Sequence, residues 1–166
     1  MKEKVYDIVI VGAGPAGLNC ALHLAQKEYN IAIVEKDKFP REKVGGDGLT
    51  SYVLFELKQL GEEYVNDFLS LENINPIKGA RIHTSDSNLV DLYEIIKNEY
   101  ENAFCHVCKR KTFDTFLFEK LKTFANVDVF ESYKVIDAEV YDTHAWVTNG
   151  KFKINAKAIV GSDGAS

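Results

Sequence analysis

The chain is poor in several features that mark whole classes of protein. Its 166 residues include three cysteines, too few for the disulfide framework of a small secreted domain. Cys20 falls within a predicted helix and reads as a small apolar packing residue. Cys105-His-Val-Cys108 has the spacing of a redox or zinc half-site, but it lies on a predicted strand, where residues three apart point to opposite faces. No second Cys/His pair follows at metal-ligand spacing, so neither metal nor dithiol chemistry is expected. Positive charge is also short. A net charge of −5 and a pI near 5.4 argue against nucleic acid as the main partner. No basic run or basic amphipathic helix offers a membrane anchor. Asp7 and several glycines interrupt the apolar N-terminal run, which excludes a signal peptide and a membrane span. The cytoplasm is the expected location. Trp146 is the single tryptophan, and with the Phe and Tyr residues it fits core strands better than a base-stacking surface. His23, His83, His106 and His144 are scattered, with no serine or acid at triad spacing, and read as surface or packing residues.

What remains is a chain rich enough in apolar residues, at 46%, to bury a core, and of a length that suits one domain. Its most informative stretch is Asp7-Ile-Val-Ile-Val-Gly12-Ala-Gly14-Pro-Ala-Gly17-Leu, followed by Ile31-Ala-Ile-Val-Glu35. The order is strand, glycine turn, helix, second strand, and an acidic residue at that strand's end. A protein that holds the ADP half of a dinucleotide needs this order. Gly12 lets the chain turn sharply, Gly14 lets a pyrophosphate approach the backbone, and Gly17 lets the helix pack close to the sheet. The helix N-terminus offers free N–H groups and a positive dipole end to phosphates. Glu35 would accept hydrogen bonds from the ribose hydroxyls and repel a 2′-phosphate.

Along the chain, Lys4–Val11 predicts a buried parallel strand. Pro15 opens a helix running to about Lys27, with Leu18, Ala21, Leu22 and Ala25 on its apolar stripe. Ile31–Glu35 is the second strand. Residues 36–50 form a long polar loop with Pro40 and Gly45-Gly46-Asp47-Gly48. Ser51 is a candidate N-cap for a helix ending at Gly61, and a short helix covers Glu62–Leu69. Ala80–Thr84 and Leu89–Tyr93 pair as a hairpin, and Phe104–Lys109 is another strand. Thr112–Phe124 is an amphipathic helix carrying Phe113, Phe116, Leu117 and Leu121. Strands then follow at Val127–Glu131, Tyr133–Tyr141, Ala145–Thr148, Phe152–Ile154 and Ala158–Val160. The pattern is a βαβ unit, an insertion, a helix, a β-meander and a returning strand. The last strand has no helix after it to cover the sheet, so the chain reads as the N-terminal part of a longer protein.

Three separated motifs agree on a family. The glycine fingerprint with Glu35 is the first. Arg110-Lys-Thr-Phe113-Asp114-Thr-Phe-Leu117 resembles the Arg-x-x-Phe-Asp-x-x-Leu segment of the para-hydroxybenzoate-hydroxylase-like flavoproteins. Gly161-Ser-Asp163-Gly164-Ala-Ser166 resembles their Gly-Ala-Asp-Gly motif. Within that superfamily, Phe39-Pro40-Arg41-Glu-Lys43-Val-Gly45-Gly46-Asp47-Gly48-Leu49 is most similar to the geranylgeranyl reductase family. The resemblance implies an α/β, Rossmann-like FAD/NAD(P)-binding domain with a β-meander, incomplete at its C-terminus. The substrate domain and a second glycine-aspartate motif would then lie beyond residue 166. It implies FAD as cofactor, NAD(P)H as electron donor, and a small-molecule or lipid substrate. Peripheral membrane contact would come through the absent C-terminal part.

The cofactor-binding set is accordingly Gly12, Gly14, Pro15, Ala16, Gly17, Glu35, Lys36, Arg41, Gly46, Asp47, Arg110, Asp163 and Gly164. Several of these have two readings. Arg110 either reaches the ribityl or pyrophosphate region or is a solvated arginine between Lys109 and Lys111. Asp114 fits a first-turn helix residue facing the dipole better than a cofactor contact. Asp163 and Asp47 are either site residues or turn formers. In the family the loop of residues 41–49 lies near the flavin and commonly carries a cysteine where this chain has Gly45, so no thiol acts there. Three functions follow as expectations: a flavin reductase of isoprenoid or similar unsaturated lipids, a flavin hydroxylase or halogenase, and a non-enzymatic nucleotide-binding module. The chain alone is expected to be catalytically silent and to bind FAD weakly or not at all.

Overall fold

A computed structural model describes residues 4–85, 89–91, 103 and 105–164. They fall into two compact units, one of residues 4–42 and 111–164 and the other of the described residues between 43 and 110. The first unit opens with strand β1 (Val5–Val11), helix α1 (Pro15–Ala25) and strand β2 (Ile31–Val34). β1 and β2 pair in parallel, with Ile8 opposite Ile31 and Val11 opposite Val34. All four residues of β2 are buried, as expected of a central parallel strand covered on both faces. α1 turns Leu18, Ala21, Leu22 and Ala25 inward, the spacing of a single helical face, and packs on β1 and β2.

The second unit lies between β2 and the predicted amphipathic helix. It comprises β3 (Gly48–Thr50), α2 (Ser51–Leu60), α3 (Glu62–Leu69), β4 (Asn75–Ile77), β5 (Arg81–His83), β6 (Leu89–Asp91) and β7 (Cys105–Val107). Thr50, rather than Ser51, stands at the N-cap of α2, and its side chain makes no capping bond. Gly61 ends α2, as predicted. β5 and β6 form the expected hairpin; its turn, residues 86–88, lies outside the described residues. β7 is flanked by β3 and β4, two short strands not predicted from the sequence. β4 contains Pro76, which argues against a strand, yet β4 is an edge where a missing N–H costs no ladder bond.

Returning to the first unit, α4 (Arg110–Leu121) is followed by β8 (Val127–Phe130), β9 (Asp137–Val140), β10 (Ala145–Thr148) and β11 (Lys153–Gly161). Phe113, Phe116, Leu117 and Leu121 of α4 are buried, as its periodicity required. The sheet order is β8-β2-β1-β11-β10-β9: four parallel strands extended by an antiparallel meander. One prediction fails here. Phe152–Ile154 and Ala158–Val160 were expected as two strands, but β11 is one continuous strand. Its first half pairs with β10 and its second half with β1. Two ladders therefore hold Asn155 and Ala156 in extended form, carrying the strand through the stretch between the two predicted pieces. Tyr6, Val9, Ala32, Val34, Tyr133, Val147, Ile154 and Ala156 make one core cluster of this sheet. The α/β Rossmann-like architecture with a mixed sheet is the one expected.

Candidate cofactor-binding site

At the C-terminal end of β1 the three glycines are small for different reasons. Gly12 has φ +101, a left-handed conformation that favours glycine. A Cβ there would also lie 2.5 Å from the Ser162 carbonyl oxygen. A Cβ on Gly17 would lie 2.0 Å from the Gly12 carbonyl oxygen. The chain's own packing accounts for both. Gly14 differs: its φ of −78 suits any residue, and a Cβ there would meet nothing within 4 Å.

Gly14 is the N-cap of α1 and Pro15 its first residue, with no side-chain cap and no acidic residue in the first turn. Leu18 N–H donates to the Gly14 carbonyl, but the N–H groups of Gly14, Ala16 and Gly17 have no acceptor among the described residues. Helix N-termini leave such donors open unless something caps them, and the dipole makes this end attractive to an anion. Glu35, just past β2, is buried. Its Oε2 accepts from Ala13 N–H at 2.9 Å and its Oε1 from Asp37 N–H at 3.1 Å. A carboxylate has about four lone-pair sites, so capacity remains for ribose hydroxyls. Lys36 beside it is exposed.

Arg41 folds inward. Its Nη2 donates to the Ala13 carbonyl at 3.0 Å and lies 3.5 Å from Glu35 Oε2 and 3.4 Å from Asp114 Oδ2. Phe39 covers the guanidinium at 4.9 Å and stacks on Phe118 at 4.0 Å. The Nε and Nη1 donors of Arg41 are buried without a hydrogen-bond partner. Asp114 is 1% exposed and is an interior ion partner of Arg41; with α4 starting at Arg110 it is not the first-turn dipole residue expected. Nothing local in the sequence marks that pairing.

The turn after β11 closes against the glycine turn. Ser162 N–H donates to the Val11 carbonyl at 2.8 Å, and its Oγ lies 3.0 Å from the carbonyl oxygens of both Val11 and Gly12. Asp163 is exposed, and its Cα would lie 2.8 Å from a Cβ on Gly12. Gly164 has φ +88. Sequence pattern alone does not mark Ser162, whose only signal is a hydroxyl where the family motif has alanine.

Gly46, Asp47 and Arg110 belong to the second unit. A Cβ on Gly46 would meet nothing within 4 Å. The Asp47 carbonyl accepts from Cys108 N–H at 2.9 Å, and its Oδ1 accepts from Arg110 N–H at 3.2 Å. A Cβ on Gly45 would lie 2.8 Å from Arg110 Nη1. The first unit thus gathers Gly12, Gly14, Pro15, Ala16, Gly17, Glu35 and Arg41 around one turn, with Asp163 beside it. The second joins Asp47 to Arg110. Among the described residues no group of His, Cys, Asp and Glu is placed to hold a metal ion, and no helix is long and apolar enough to cross a membrane. Open amides at a helix N-terminus, an ungated glycine and a buried carboxylate at the next strand's end fit a diphosphate and an adjoining ribose.

The chain matches the family model for pyridine nucleotide-disulphide oxidoreductases over residues 6–165. It is 46% identical over 55 residues to menaquinone reductase of Mycolicibacterium smegmatis, covering 33% of this chain and 13% of that protein. To digeranylgeranylglycerophospholipid reductase of Methanosarcina acetivorans it is 25% identical, covering 98% of this chain and 38% of that protein. To a 1H-pyrrole-2-carbonyl-[peptidyl-carrier protein] chlorinase of Pseudomonas fluorescens it is 28% identical, covering 99% and 40%. Among solved structures, p-nitrophenol 4-monooxygenase of Pseudomonas putida superimposes with a TM-score of 0.82 at 18% identity, covering 98% of this chain and 42% of that one. The relatives matched along nearly the whole chain are thus more than twice its length.

Proposed function

Because the chain belongs to the pyridine nucleotide-disulphide oxidoreductase family, a family of FAD-dependent oxidoreductases, we propose that its first unit holds the ADP half of FAD. The observation that carries this reading is Gly14. The backbone there accepts any residue, and among the described residues nothing lies within 4 Å of a Cβ placed on it. The demand for glycine comes from a ligand's closest approach to the backbone. In this reading the amides of Gly14, Ala16 and Gly17 donate to the pyrophosphate, and the α1 dipole adds to their pull. Glu35 accepts from the ribose hydroxyls while Arg41 and Ala13 N–H hold its carboxylate in place. Lys36, Gly46, Asp47, Arg110, Asp163 and Gly164 complete the proposed set. FAD, when bound, supplies the hydride carrier.

For the whole protein we propose reduction of an isoprenoid or similar unsaturated lipid in the cytoplasm, with NAD(P)H as donor. The likeness of residues 39–49 to geranylgeranyl reductases supports it, as do the names of two relatives, a digeranylgeranylglycerophospholipid reductase and a menaquinone reductase. In this proposal the chain is the N-terminal part of the FAD-binding domain and is catalytically silent alone. Contact with lipid falls to a part outside it. Oxygen-dependent chemistry is the second reading, supported by the chlorinase and monooxygenase likenesses and by glycine at position 45.

The test is a visible spectrum and FAD titration of the full-length protein, then NAD(P)H consumption with and without oxygen. A bound flavin and oxygen-independent reduction of a prenyl lipid are expected. Absence of bound flavin and of any response to added FAD overturns the cofactor assignment. Product formed only with oxygen overturns the reductase assignment in favour of the second reading.

A further inference from the structure

The peptide unit between Gly12 and Ala13 is gripped at both ends. Its carbonyl oxygen lies 3.0 Å from Ser162 Oγ, and its N–H donates to Glu35 Oε2 at 2.9 Å. The two grips come from the segments that follow different strands, β11 and β2. A peptide unit that follows glycine at positive φ turns over with little steric resistance, because no Cβ opposes the rotation on that side. Turned over, this one would aim its carbonyl at the Glu35 carboxylate and away from the Ser162 hydroxyl.

The Ser162 hydroxyl carries one proton and has two carbonyls at equal distance, those of Val11 and Gly12. Val11 already accepts from Ser162 N–H at 2.8 Å, so the hydroxyl proton is the donor that Gly12 needs. The neighbouring groups are settled in the same way. Gly12 N–H donates to the Val34 carbonyl, and the Ala13 carbonyl accepts from Arg41. Every polar backbone group of Gly12 and Ala13 therefore has a partner within the chain, and the open amides begin at Gly14. Ser162 sets that division.

We propose that Ser162 is a positioning residue of the dinucleotide site. Its hydroxyl fixes the Gly12–Ala13 peptide so that the N–H end serves Glu35 and the carbonyl is kept turned away from that carboxylate. The inference rests on the dinucleotide reading above. Its mechanism is preorganisation: a turn already in its binding geometry loses less freedom when the ligand arrives. The hydroxyl is a feature of this chain, since the motif it resembles has alanine at that place.

The test uses the full-length protein with FAD and ADP as probes, both titrated by calorimetry, alongside thermal melts without ligand. Ser162→Ala is expected to weaken both ligands by about tenfold, the effect of losing roughly one hydrogen bond. The same replacement in a Glu35→Gln background is expected to weaken FAD by less than about twofold, because the peptide it fixes no longer serves a carboxylate. A residue that only supports the fold would lower the melting temperature and leave both affinities of the folded protein unchanged. That result, or an equal loss in the two backgrounds, overturns the proposal. A wild-type protein that binds neither probe overturns the dinucleotide reading and this inference with it.

Discussion

Arg41, in the segment after β2, and Asp114, in α4, form a 3.4 Å ion pair with side chains 8% and 1% exposed. Glu35 Oε2 lies 3.5 Å from the same guanidinium nitrogen, so one cation serves two buried carboxylates. Removing one member of such a group leaves charge uncompensated in the interior, which typically costs about 3–5 kcal/mol. Arg41→Met strands two carboxylates and is expected to fall at the upper end of that range. Asp114→Asn leaves Arg41 with Glu35 and is expected at the lower end or below it. Urea unfolding of both variants checks the order; equal costs would mean that Glu35 draws nothing from Arg41.

The three glycines of the turn separate folding from binding. Gly17→Ala places a methyl group 2.0 Å from the Gly12 carbonyl oxygen, and overpacking of this kind costs about 1–3 kcal/mol or more. A Cβ on Gly14 would meet no atom of the described residues within 4 Å, and the stability of Gly14→Val is expected within about 1 kcal/mol of wild type, the cost of placing valine at an N-cap. Its affinity for FAD should nonetheless fall by more than about a hundredfold, since the branched side chain stands where the phosphates approach. Melting curves and FAD titrations on the pair check this. A Gly14→Val protein that keeps wild-type affinity would remove the main support for the site.

This contrast also marks what the sequence could reveal. The glycine turn, α1 and β2 are contiguous, and their chemistry is written in residue order: a strand period, three glycines, a proline at the first helical position and an acid at the next strand's end. The extent of β11 could not be read that way, because Asn155 and Ala156 are held extended by partners on both β10 and β1. The burial of Asp114 escaped for the same reason. A helix predicted from Thr112 puts Asp114 in its first turn as a dipole partner, whereas α4 begins at Arg110 and the tertiary fold brings Arg41 to Asp114. Ser162 likewise acts on a carbonyl at the other end of the chain.

Acid sensitivity has a defined contributor at the sheet edge. Asp128 of β8 accepts from Lys4 and, at 2.6 Å, from the Tyr6 hydroxyl. These bonds hold its carboxyl below the ordinary aspartate range, with Lys4 the larger cause and Tyr6 the next. A depressed folded-state value stabilises the protein above the unfolded value, about 3.9, and that stability is lost as pH falls through the folded value. Asp128→Asn should therefore flatten the decline in stability below about pH 4. With Lys4 and Asp128 both substantially exposed, the loss at neutral pH should be about 1 kcal/mol or less. Urea midpoints against pH check both parts, and an unchanged acid limb would assign the decline to other carboxylates.

Gly45 offers a way to ask what a thiol would meet in this loop. The three nearest atoms to a Cβ there all belong to Arg110, with Nη1 at 2.8 Å. The obstacle is the far end of a flexible side chain, and the Gly45 backbone is outside the left-handed region. Gly45→Cys should therefore fold with a cost under about 1 kcal/mol, Arg110 yielding by a small rotation. The introduced sulfur then lies beside a guanidinium, which favours thiolate over thiol. Its apparent pKa should fall below the ordinary cysteine value of about 8.5, read as the pH dependence of alkylation after subtracting the wild-type cysteines. Adding Arg110→Ala should return it toward that value. A thiol that titrates normally in both backgrounds would show that the guanidinium moves clear of position 45 once a side chain is placed there.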